Sequence, residues 1–137
     1  MQVDIPMTYA FKHYPDLALV IVETHGFTKA TQQAQMVKDM FEYVTPLPKP
    51  LRLVVDYNDT IVNVIELTGF LATLPNIMPT FKAQQLLGPY IIDGSTSWGQ
   101  LAANLTRHPR FGGVSIRVFC SQQEVFDFMK AKPLTGM

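Results

Sequence analysis

The chain has 137 residues, 47% of them hydrophobic and 16% charged, with 11 basic and 11 acidic side chains. That length supports one domain with its own core, and that composition excludes a disordered or tail-like chain. A net charge of zero supplies no field to attract nucleic acid and little repulsion against self-association, so no nucleic-acid partner is expected and a homodimer is a candidate.

"MQVDIPMTYAFK" carries no apolar run of the leader type. The longest uncharged stretch, Leu67 to Phe81, holds Gly69, Pro75, Asn76 and Pro79 and is too short to cross a bilayer. No integral membrane segment is expected. The single cysteine, Cys120, excludes an internal disulfide framework and suits a reducing compartment, so the expected location is cytoplasmic.

Taken in chain order, "VDIPMTYAFKHYPDLALVIVETHG" reads as a β-hairpin with its turn at Tyr14-Pro15-Asp16 and a second arm from Leu17 to Glu23. Thr28 is the expected N-cap of a helix ending near Val44, with Ala30, Ala34, Val37, Phe41 and Val44 as its buried stripe. The Pro-rich "VTPLPKPLR" is a stiff connection inside the domain, and "LRLVVDY" is a core strand. Phe70, Leu74, Ile77 and Phe81 then share a helical face flanked by Leu71 and Met78, in a helix that Pro75 and Pro79 must break or kink. "PYIIDG" is the next strand, and Trp98, Leu101, Ala102 and Leu105 mark a helix after it. "VSIRVFC" is the last strand, with Val114, Ile116, Val118 and Cys120 on one face. Ser121 and Glu124 form a capping box for a final helix that buries Val125, Phe128 and Met129.

The order ββαβαβαβα predicts a single α/β domain over residues 1–137. Its five-stranded mixed sheet is mostly parallel, with only the first strand antiparallel and helices covering it. The strand order is left open.

The hairpin, "LRLVVDYNDT", the irregular apolar helix and the ending "YIIDGSTSWGQLAANL…VSIRVFCSQQEVFDFM" together resemble the SpoIIAA-like proteins of the STAS/SEC14 group. Ile91, Ile92 and Asp93 with Trp98 match one part of that pattern, and Phe119, Glu124, Val125 and Phe128 another. The resemblance implies a non-enzymatic module without cofactor, which switches between protein partners or holds a lipid-like or other apolar molecule. It also implies a phosphorylation position in a "DSSGL"-type segment. The nearest stretch is Glu66-Leu67-Thr68-Gly69-Phe70, with Thr68 at the modified position but Leu67 and Glu66 departing from the pattern.

Each polar candidate has a structural reading beside the functional one. "DGSTSWGQ" offers helix-start N–H groups to an anion, yet it lacks the Lys of a P-loop and the three glycines of a dinucleotide fingerprint. Asp93 and Gly94 as a turn, with Ser97 and Gln100 as a capping box, account for every polar residue in it. His25, Asp56, Asp93 and Ser121 end strands at the carboxyl edge of the sheet, where open α/β sheets place ligands. His25 beside Asp56 would make an acid–base pair and a small enzyme the alternative function, whereas turn and cap chemistry explains the same residues. The main reading assigns no catalytic residue.

No metal site is expected. His13 and His25 flank a strand that separates them by roughly 26 Å at about 3.3 Å per residue, and neither HxxxH nor CxxC occurs. Cys120 lies in the apolar phase of its strand and reads as a small buried hydrophobe. The stripe of Phe70, Leu71, Leu74, Ile77, Met78 and Phe81 is core, the wall of an apolar pocket with Tyr57 and Trp98 nearby, or an interface between copies.

Overall fold

The computed structural model describes residues 7–27, 29–61, 64–93, 102–104, 106–108 and 116–133. Strands β1 (Thr8–Tyr14) and β2 (Leu19–Phe27) form the expected antiparallel hairpin, closed by a 3-10 turn over Pro15–Leu17. Ala18 leaves that turn in a left-handed conformation (φ 48°) and donates its N–H to the Pro15 carbonyl at 3.1 Å. Helix α1 (Ala30–Val44) leads to β3 (Leu51–Ile61), α2 (Val64–Leu71) and α3 (Leu74–Ala83) to β4 (Leu86–Ile92), and β5 (Arg117–Phe119) precedes α4 (Gln122–Ala131). A further helical segment at 102–104 carries the buried Ala102 and Ala103.

The sheet is five-stranded, in the order β1-β2-β3-β4-β5, with β2 to β5 parallel. The α/β class and the single antiparallel strand are as the element order implied. Residues 19–22 and 51–55 are buried throughout, and side chains in a strand alternate between faces, so these strands serve two cores. Val20, Val22, Leu53, Val55 and Ile91 pack with Met36, Met40 and Val44 of α1. Leu19, Ile21, Val54 and Ile92 pack with Phe119 and with Val125 and Met129 of α4.

Three local expectations are corrected. The helix α1 buries Gln33, Met36, Met40 and Val44, while Ala34 is exposed and Phe41 only half-buried. Long flexible methionines cover more of the sheet than alanine can, and Tyr57 draws the polar Gln33 inward by donating its hydroxyl to Oε1. The strand β3 runs to Ile61 rather than ending at Tyr57, and β2 to Phe27 rather than Glu23. The pairing skips a residue on β3, from Glu23↔Asp56 to His25↔Asp59, and this bulge lets the polar run Asn58–Thr60 continue as an exposed ribbon beyond β4. Cys120 is exposed. The strand β5 stops at Phe119, so the alternation that would bury Cys120 does not extend to it.

Capping shows the same reliance on partners distant in sequence. Ser121 accepts the Glu124 N–H at 3.3 Å, as its spacing predicts. The expected cap Thr28 lies outside the described residues. Lys29 occupies the N-cap position of α1 without a side-chain cap bond, and the Ala30 N–H donates to Glu66 Oε2 of α2 at 2.7 Å. A carboxylate from another helix thereby meets the positive end of the α1 dipole.

Arg52 is only 3% exposed and faces no carboxylate within bonding distance among the described residues. Its Nη1 donates to the Lys132 carbonyl at 2.5 Å and its Nη2 to the Leu17 carbonyl at 2.6 Å and the Met129 carbonyl at 3.4 Å. Burial lowers its pKa, and two of the carbonyls it serves, those of Met129 and Lys132, lie at the end of α4, where helix carbonyls lack intrahelical partners.

A second bulge lies on β4, where Arg52↔Leu87 is followed by Val54↔Tyr90. Gly88 sits in it at φ 112°, and a Cβ there would lie 2.9 Å from the Tyr90 N and 3.0 Å from the Leu53 carbonyl oxygen. Both neighbours are backbone, so the strain has no cheap release. Gly88→Ala should therefore lower the urea midpoint by the equivalent of about 2 kcal/mol, the scale of a left-handed non-glycine residue. An unchanged midpoint would show that the bulge relaxes freely.

Candidate functional site

The apolar segment is divided ahead of Pro75 alone, and Pro79, also expected to break or kink the helix, lies inside α3. Pro75 occupies the first turn of α3, where a missing N–H costs nothing, and α2 ends at Leu71. Phe70, Leu71, Leu74 and Phe81 point inward and are buried, and Ile77 and Met78 are half-buried. A turn at Ala72 and Thr73 separates the two short helices. A cleft remains between α2–α3 and the core of α1 and the strands.

The cleft is lined almost entirely by apolar atoms and has a volume of about 60 Å³. Seven residues singled out from the sequence line it: Tyr57, Phe70, Leu71, Leu74, Ile77, Met78 and Phe81. The eighth, Trp98, lies outside the described residues. The opposite wall comes from Met36, Val37 and Met40 of α1 with Leu53, Val55 and Ile91 of the sheet, which the sequence reading did not assign to a site. Their apolar spacing is that of any core helix or strand, so only the position of α2–α3 distinguishes them. The large apolar residues exposed on the surface are instead Ile61, Ile65 and Leu87 among the described residues.

The strand-end candidates do not form the expected His25–Asp56 pair. His25 Nδ1 meets Asp59 Oδ2 at 2.6 Å, with both side chains more than half exposed, so the bulge hands His25 a different partner from the Asp56 expected. Asp56 is buried with both carboxylate oxygens engaged. Its Oδ1 accepts the Asn58 N–H at 2.8 Å, supplying a partner to the bulged backbone, and its Oδ2 accepts from Gln122 Nε2 at 2.8 Å. The same Gln122 amide donates to Glu23 Oε2 at 2.7 Å, and Lys12 Nζ lies 3.1 Å from Glu23 Oε1. Asp93 is buried, and its backbone N–H donates to the Phe119 carbonyl at 3.0 Å. No group of three or more potential metal ligands forms among the described residues. Thr68 is half-buried at the fifth position of α2, beyond the first turn whose free N–H groups would hold a phosphate.

Burial raises the pKa of the Tyr57 hydroxyl, so it remains a neutral donor to Gln33 at any ordinary pH. Tyr9 is raised to about 12, chiefly because its hydroxyl donates to Asp39 Oδ2 at 2.5 Å. The Gln122 amide, and then Lys12, hold Glu23 below its usual value.

The fold is SpoIIAA-like. The chain matches the crystal structure of an uncharacterized DUF3478-family protein with a SpoIIAA-like fold from Shewanella loihica PV-4, with a TM-score of 0.58 over 94% of this chain and 98% of that one. Sequence identity between the two is 10%, so what they share is the fold. No protein-family model and no curated protein matches the chain. No helix among the described residues is long and apolar enough to cross a membrane.

Glu23 makes the polar strand end sensitive to acid. A carboxylate with a lowered folded-state pKa contributes stability that is complete above its unfolded value of 4.5 and fades as pH falls through the folded value. Urea titrations of wild type and Glu23→Gln should therefore differ above pH 4.5 and converge at lower pH. A difference that persists unchanged into acid would show that the Glu23 charge contributes nothing.

Proposed function

We propose that this protein is a non-enzymatic binding module whose site is the apolar cleft beneath α2 and α3. The observation that carries this reading is an almost wholly apolar cavity beside a proline-broken helical segment. A helix pair that packs imperfectly can shift to admit an occupant at lower cost than a continuous helix, and Met36, Met40 and Met78 provide adaptable walls. At about 60 Å³ the cleft is smaller than an engineered cavity that takes benzene, about 150 Å³, so a compact apolar group enters only as α2 and α3 shift, and a full acyl chain does not fit. That group is a small molecule or an apolar side chain of a protein partner. Cytoplasmic location and a regulatory role belong to the same reading, as does the absence of catalysis, because Asp56 is engaged in holding the bulge and Gln122.

Methyl-labelled methionine reports on the site directly. Titration with methylenecyclopentane should shift the methyl resonances of Met36, Met40 and Met78 and leave Met129, which lies in the core on the other face of the sheet. Ile77→Trp, which fills the cleft wall, should weaken this response about tenfold. Equal shifts at Met129, or none at the three cleft methionines, would sink the reading.

A further inference from the structure

Gln33 is fully buried, and its Nε2 has no hydrogen-bond partner among the described residues. A buried amide donor without an acceptor costs on the order of 1–3 kcal/mol, so its persistence asks for an explanation. Its position supplies one. Gln33, Met36, Val37 and Met40 follow helical spacing on one face of α1, and the last three line the cleft. Helical side chains lean toward the N-terminus, which puts Gln33 at the end of that row. Gln33 does not itself line the cleft, but its Oε1 is held by the hydroxyl of Tyr57, which belongs to the cleft wall, so an occupant that reaches past Tyr57 meets an amide already fixed in orientation. The hydroxyl donates to Oε1, and the Nε2 hydrogens are left over.

We infer that the cleft selects a compact apolar molecule carrying one hydrogen-bond acceptor, which docks against Gln33 Nε2 beside the Tyr57 hydroxyl. This rests on the cleft being a binding site and adds the chemistry that the occupant must carry. Elsewhere the cleft offers shape alone. A single buried donor reached past Tyr57 would give it orientation and discrimination, because a hydrocarbon of the same shape leaves the amide unsatisfied. A ketone or ester oxygen fits this description, and a cation or a group that only donates does not.

The test compares cyclopentanone with methylenecyclopentane, which replaces the carbonyl oxygen by a methylene of similar size. Methionine methyl shifts give both affinities in wild type and in Gln33→Met. In wild type both probes bind, and Gln33→Met should weaken cyclopentanone about tenfold while leaving methylenecyclopentane unchanged. Retained hydrocarbon binding shows that the variant still folds around an intact cleft. If the variant does not fold, wild type alone decides, since cyclopentanone and not methylenecyclopentane should move the Gln33 side-chain amide protons downfield. Equal sensitivity of both probes to Gln33→Met, or an unmoved amide, would mean that water satisfies Nε2, and would overturn the inference while leaving the cleft as a site. Failure of both probes to bind wild type would overturn the two together.

Discussion

The pairing of β2 with β3 is the constraint on which the other layers depend. Leu19 to Val22 and Leu51 to Val55 are buried on both faces, so neither strand is stable until both faces are covered. Helices α1, α2 and α3 meet that requirement on one side and α4 on the other. The ladder itself extends further than the core. Beyond Asp56 it continues as a partly exposed two-stranded ribbon, supported by the bulge bond from Asn58 and by Thr24, whose hydroxyl donates to the Asp56 carbonyl at 2.8 Å.

The two polar side chains of β3 that turn toward α4 fix that helix at both ends. Gln122 in its first turn is bound by Asp56, and the carbonyls of Met129 and Lys132 at its end are bound by Arg52. Four strand residues cover about 13 Å and a ten-residue helix about 15 Å, so the spacing along the strand matches the length of the helix. Buried charge in this protein therefore goes largely to aligning layers. Two buried donors are left without a partner among the described residues, Arg52 Nε on this face and Gln33 Nε2 on the other.

Much of this was legible in advance because it is local. Pro75 marks the start of a new helix within 64–83, although Pro79 is carried inside α3, and six of the residues named from the interrupted stripe line one cavity. Ser121 and Glu124 announced the start of α4 by their spacing alone. The differences between sequence and structure have a common origin in contacts between distant residues. Alanine at helical spacing points to core at Ala34, yet the face of α1 is set by what the sheet and Tyr57 present to it. His25 and Asp56 both end apolar runs, and one extra residue in β3 gives His25 the partner Asp59 instead.

The sequence by itself determined the element order, the parallel character of the sheet and the apolar nature of the segment from Phe70 to Phe81. Each follows from periodicity, β-branching and the missing N–H of proline, which act within a few residues. The tertiary structure alone decided the strand order, the two bulges, the grip of Arg52 and Asp56 on α4, and the burial of an amide donor at Gln33. Those depend on which backbone groups lack partners once the layers are stacked, and residues 24 to 80 positions apart in the chain supply what is missing.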